Sequence, residues 1–105
     1  MPNLTLEQCQ NCVGPGWAGL IAEIYAALPE DAFVAQVKEK FGGLRFYIGA
    51  GTAELHDLIE DVEARSYTVC ESCGKPGKPR EGGWILTLCD ECNELIEELR
   101  TSISL

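Results

Sequence analysis

A chain of 105 residues can bury one modest core, and 17 acidic against 8 basic residues give it a formal charge of −9. Such a surface repels duplex nucleic acid overall and attracts a basic partner. No segment is apolar for long enough to span a bilayer, and Met1 to Glu7 lacks the basic start and apolar run of a signal peptide, so the expectation is a cytoplasmic protein with reduced cysteines.

Cys9-Gln10-Asn11-Cys12 is a C-x-x-C pair without a second hook nearby. It is open to three readings: a metal half-site completed by another subunit, a redox dithiol, or two small thiols at the start of a helix. The last is favoured, because a redox pair belongs after a strand in a βαβ unit and none is in sight. Gly14-Pro15-Gly16-Trp17 then opens a helix, with Pro15 at the first position, where its missing N–H is not needed. Trp17, Leu20, Ile21, Ile24, Tyr25 and Leu28 recur at three- and four-residue intervals, which predicts a core helix ending at Leu28-Pro29.

Phe33 to Ile48 reads as a β-hairpin turning at Gly42-Gly43, a dipeptide suited to a two-residue turn that needs positive φ. That turn pairs Phe41 with Leu44, Lys40 with Arg45, Glu39 with Phe46, Lys38 with Tyr47 and Val37 with Ile48. Val37, Phe41, Leu44, Phe46 and Ile48 then share one face, and Lys38, Lys40, Arg45 and Tyr47 share the other. Glu39 falls on the apolar face and needs a partner there. The basic face is the candidate nucleic-acid surface, with Lys75, Lys78 and Arg80 further along the chain.

Thr52 is a good N-cap for a second helix whose inward stripe is Leu55, Leu58, Ile59 and Val62, running to about Ser66. Glu54, Asp57, Glu60, Asp61 and Glu63 are assigned to its outer face, an acidic surface for a partner. His56 belongs with these polar positions and reads as exposed.

Cys70-Glu71-Ser72-Cys73 and Cys89-Asp90-Glu91-Cys92 are two C-x-x-C hooks separated by fifteen residues, the spacing of a four-cysteine zinc site. Cys70, Cys73, Cys89 and Cys92 would close a tetrahedral shell around one Zn2+ per chain. Four thiolates leave no open position for water or substrate, so the expected role is structural and no catalytic residue is assigned. Gly74 to Gly83 reads as turn and loop alone, and Trp84 to Leu88 as a short strand. Leu95, Ile96 and Leu99 lie at helical spacing after the second hook, favouring a treble-clef finger over a zinc ribbon. Asp90, Glu91, Glu94, Glu97 and Glu98 form a second acidic face.

The run Gln36-Val37-Lys38-Glu39-Lys40-Phe41-Gly42-Gly43-Leu44-Arg45-Phe46-Tyr47, followed by Cys70-Glu71-Ser72-Cys73-Gly74 and Trp84-Ile85-Leu86-Thr87-Leu88-Cys89, resembles a family of small phage and prophage zinc-finger proteins of unknown function. The resemblance spans about Gly14 to Cys92. It implies phage origin and a bacterial cytoplasm, and brings no catalytic residues with it.

The expected architecture is α+β: an N-terminal helix, a β-hairpin, a helix, and then a C-terminal treble-clef or zinc-ribbon-like four-cysteine finger. It forms one small domain over 1–105, with a helix-hairpin-helix core at 14–66 and a zinc-finger subdomain at 67–105. The expected function is a non-enzymatic, acidic protein-interaction module that inhibits or modulates a host defence or nucleic-acid-processing protein. The alternative is single-stranded DNA or RNA binding through the hairpin and zinc loop. An exposed hairpin edge also leaves a route to a homodimer.

Overall fold

The computed structural model describes residues 2–103, with side chains from Pro2 to Arg100; Met1, Ser104 and Leu105, the ends of the expected 1–105 domain, lie outside it. The elements run α1 (Leu6–Gln10), a 3₁₀ turn (Pro15–Trp17), α2 (Ala18–Ala27), β1 (Val34–Lys40), β2 (Gly43–Ile48), α3 (Ala53–Ser66), β3 (Lys78–Arg80), β4 (Leu86–Leu88) and α4 (Asp90–Ile103). The architecture is the expected α+β arrangement, with α4 starting inside the second hook.

α1 is short and exists because Thr5 and Gln8 form a reciprocal capping box: the Thr5 hydroxyl accepts from the Gln8 N–H, and the Gln8 side chain accepts from the Thr5 N–H. It buries Cys9 and leaves Cys12 exposed, its thiol directed at the Gln8 carbonyl. Both are free thiols. Burial, followed by the neighbouring Cys12, pushes the Cys9 thiol above its ordinary value.

Leu20, Ile21 and Ile24 supply the buried face of α2, with Trp17 of the 3₁₀ turn just before it, and Leu55, Ile59 and Val62 that of α3. These two stripes close over Val37, Leu44 and Phe46 of the hairpin, with Cys9 and Val34 at one side. Leu4, Leu6 and Val13 pack on the same cluster, so the N-terminal segment belongs to the core along with residues 14–66.

The hairpin turns one residue earlier than expected. Phe41 and Gly42 form the turn, at φ +54° and +82°, and Gly43 is already the first residue of β2, facing Lys40. Glu39 therefore faces Leu44, Lys38 faces Arg45 and Val37 faces Phe46. Each pairing has slipped by two residues, which keeps every strand side chain on its predicted face. Phe41 is the exception: it leaves the apolar face and stands in the turn. The reason lies in Gly43, where a Cβ would come within 2.4 Å of the Tyr67 ring. That glycine is required for close packing, and the left-handed turn position falls to Phe41 instead. Glu39 finds its partner locally, accepting the Gly42 N–H at 2.7 Å.

In the C-terminal part, the knuckle from Cys70 to Gly74 closes through a Gly74 N–H to Cys70 carbonyl bond, with Gly74 at φ +84°. The following run is not loop alone. Lys78–Arg80 pairs antiparallel with Leu86–Leu88, a two-stranded ribbon in which Pro79 is tolerated because neither strand has a further neighbour. Trp84, expected to begin the strand, stands in the turn before it.

Two hydrophobic clusters result, the second formed by Cys70, Leu88 and Cys89 with Leu86, Cys92 and Ile96 against them. They lie within an elongated body of 50 × 21 × 21 Å. The joints between them are specific. Trp17, wholly buried, donates its Nε1–H to the Val69 carbonyl at 2.8 Å, and the Gly16 N–H donates to the Glu71 carbonyl at 2.8 Å.

Candidate metal centre and surrounding surfaces

The sulfurs of Cys70, Cys73, Cys89 and Cys92 all lie within 4.8 Å of one another, close enough to hold one metal ion. Cys73 Sγ and Cys89 Sγ are 3.6 Å apart, and tetrahedral coordination with metal–sulfur bonds of about 2.3 Å demands an edge of about 3.8 Å. The knuckle presents the first pair and the start of α4 the second. Cys70 and Cys89 are buried, while Cys73 faces outward.

The environment sorts the protons among these thiols. Burial works against a Cys70 thiolate, but hydrogen bonds offered by the Cys89, Cys73 and Ser72 backbones outweigh it and bring the thiol down to about 6. Cys92 is pushed up to about 12 by its hydrogen bond with Cys89, by burial and by the other sulfurs. Four thiolates in one shell repel each other unless a cation sits between them, which is the chemistry of a structural metal site.

The predicted acidic surfaces are only partly as expected. Glu54, Asp57 and Glu60 face solvent on α3, and Asp61 is exposed but bonded to Arg65 at 3.0 Å. Glu63 does not belong to that face: its carboxylate turns inward and accepts the Phe46 N–H at 2.8 Å, satisfying the outer edge of β2. On α4, Glu94 and Glu98 are exposed, Glu97 lies 3.6 Å from Arg100, Asp90 pairs with Arg80 at 2.8 Å and Glu91 with Lys75 at 3.5 Å.

The predicted basic surface is correspondingly reduced. Arg45 is half-buried and donates to the Tyr67 hydroxyl at 2.8 Å and to the Leu44 carbonyl, and the Tyr67 bond raises its pKa further. Arg80 is held by the Leu88 carbonyl and by Asp90. Lys38, opposite Arg45 in place of the expected Lys40, lies over the exposed Tyr47 ring at 5.9 Å, and Lys78 faces solvent. His56 is exposed.

Between the hairpin turn and the loop joining β3 to β4 runs a cleft of about 360 Å³ lined by Glu39, Lys40, Phe41, Gly82, Gly83, Trp84 and Ile85. Beside it, a Cβ on Gly42 would stand 3.1 Å from both Ile85 and Thr87. Phe41 is 66% and Trp84 69% exposed. Phe41 is expected on the apolar face and Trp84 in a strand, yet both stand outside the strands. Phe41 is displaced by the close approach of Tyr67 to Gly43, which no local pattern carries. Glu71, half-buried, accepts the Thr87 N–H at 3.2 Å; burial holds its carboxyl above the usual range, opposed by the Thr87 N–H and reinforced by nearby Glu39.

Among the described residues no helix is long and apolar enough to cross a membrane. Compared with protein-family models, curated proteins and solved structures, the chain finds no match.

Proposed function

We propose that this chain is a zinc-stabilised protein-interaction module that binds a basic surface of another protein. The observation that supports it is the sign of the charge left over after internal pairing. Half of the predicted basic surface (Arg45, Lys75 and Arg80) and half of the predicted acidic surface are engaged within the molecule, which leaves the carboxylates of Glu54, Asp57 and Glu60 on α3 and Glu94 and Glu98 on α4 facing solvent against only Lys38, Lys40 and Lys78. Carboxylate rows of this kind steer a basic partner and fix its register more than they add raw affinity. The metal is read as one Zn2+ on the four thiolates, holding the C-terminal module rigid. Phage origin and a host target in the bacterial cytoplasm, a defence or nucleic-acid-processing protein, rest on the resemblance of the hairpin and zinc-module sequences.

The test is affinity capture from bacterial lysate with and without nuclease, using the wild type and a Glu54→Lys, Asp57→Lys, Glu60→Lys variant. A stoichiometric protein that survives nuclease and is lost with the variant supports the reading. A partner retained equally by the variant at low salt sinks it.

Single-strand binding is the second reading, favoured by the exposed aromatics beside Lys40, since bases stack on such rings. Nucleic acid captured by the wild type and removed by nuclease would carry it.

A further inference from the structure

We propose that the cleft between the hairpin turn and the loop joining β3 to β4 is a peptide-docking site that takes an extended basic segment of the partner, an arginine side chain seated against Trp84 and the Glu39 carboxylate. This names a site for the interaction-module reading and rests on that reading.

Four observations lead to it. Phe41 and Trp84 are both about two-thirds exposed, while the other tryptophan, Trp17, is wholly buried. Leaving two large rings in water forgoes the main stabilisation such residues offer, and paired exposed aromatics are a feature of recognition surfaces.

Phe41 also holds φ +54°. A bulky residue in the left-handed region strains the backbone, and such strain gathers at ligand-binding positions. The turn would form more readily with asparagine there, so the ring is retained against the preference of its own backbone.

The polar groups of the cleft favour a cation. Glu39 lies in its lining, and the chain as a whole carries −9. The one ammonium present, Lys40, already lies over the Phe41 ring at 5.6 Å, leaving the Trp84 ring as the aromatic face for an incoming guanidinium. Tryptophan is the best ring for such a pairing, and arginine its more frequent cation. A phosphate backbone would enter against the same field.

Finally, nothing lies within 4 Å of where a Cβ would stand on Gly82 or Gly83. The main chain of this wall is open to an extended peptide, and a volume of about 360 Å³ suits a few residues of one.

The experiment is a fluorescence titration of the full, zinc-loaded chain with a capped Gly-Arg-Gly-Arg-Gly peptide, with a Gly-Lys analogue and with a short oligothymidylate. Buried Trp17 should stay silent, so a change reports Trp84. The expected result is a saturable change with the arginine peptide, affinity about tenfold weaker for Glu39→Gln, whose amide oxygen can still accept the Gly42 N–H, and weaker for the lysine analogue. For Trp84→Ala, read by calorimetry, binding should be lost while zinc content stays unchanged.

No saturable signal, binding unaffected by Trp84→Ala, or tighter binding of the oligothymidylate would each overturn the proposal. The parent reading fails separately. A captured basic protein that Trp84→Ala still binds leaves the module and removes the cleft, whereas peptide binding without any captured protein keeps the cleft and removes the module.

Discussion

The Thr87 hydroxyl donates to the carbonyl of Gly42, and this bond between the β3–β4 hairpin and the turn of the first hairpin is buried. It ties together two hydrophobic clusters that otherwise belong to separate parts of the chain. Replacing Thr87 by Val keeps the shape and leaves that carbonyl unsatisfied. We expect a loss of about 1–3 kcal/mol in urea unfolding, with Thr87→Ser close to wild type.

Gly16 and Gly19 provide a matched pair. A Cβ on Gly16 would stand 1.9 Å from the Cys70 carbonyl oxygen, against knuckle backbone that cannot give way, whereas one on Gly19 meets nothing within 4 Å. Gly16→Ala should cost several kcal/mol and weaken zinc retention, as overpacked backbone contacts do. Gly19→Ala, inside α2, should raise stability by about 0.5–1 kcal/mol.

Phe41→Asn should act in opposite directions on folding and on recognition. Asparagine before glycine suits a turn with two positive φ angles, and relief of strain should add about 1 kcal/mol in thermal or chemical unfolding. Loss of the ring should weaken the arginine peptide in the fluorescence titration. A variant that is less stable, yet binds as well as wild type, would contradict both halves.

Arg65 joins α3 to α2 through a two-pronged bond to Glu23, at 2.9 and 3.0 Å, and that bond draws the Glu23 carboxyl below its ordinary 4.5. A group depressed in the folded state stabilises fully above the unfolded value and loses that contribution as pH falls through the folded one. The gap in melting temperature between wild type and Glu23→Gln should be constant above about pH 4.5 and close below it. The pair is exposed, so the gap should be small and should shrink with salt.

Cys73→Ser should lower metal content and unfold the β3–β4 hairpin and the start of α4, and a strong chelator should do the same to the wild type. Acidification should release the metal, because protons compete for the same thiolates. Metal analysis and far-ultraviolet dichroism read both. A serine variant with unchanged zinc and melting would rule out a structural metal on these four residues.

The clustered cysteines were legible in the sequence because a C-x-x-C hook is a local instruction, satisfied by one turn of backbone. So was α3, whose Thr52 cap and Leu55, Ile59, Val62 stripe are internal to the helix. What escaped depended on residues distant in sequence. The turn at Phe41 is set by Tyr67 standing over Gly43, and the inward rotation of Glu63 by an N–H on β2. Periodicity could not reveal that Arg45 and Arg80 are bound within the molecule, since Tyr67 and Asp90 meet them only after folding. The α1 capping box is the exception: Thr5-Leu6-Glu7-Gln8 carries it locally, yet it is not among the expected elements.

The two walls of the aromatic cleft have different supports: Phe41 stands on the helix-packed hairpin, and Trp84 stands on the loop leading into β4, whose Leu86 and Leu88 pack with Cys70, Cys89 and Cys92. An ion that orders this cluster would be thermodynamically linked to a ligand in the cleft. Whatever factor the ion contributes to the affinity for a peptide, the peptide must return to the affinity for the ion. Recognition by such a cleft carries a built-in sensitivity to metal supply, and a partner seated in it would slow the loss of the ion that shaped its site.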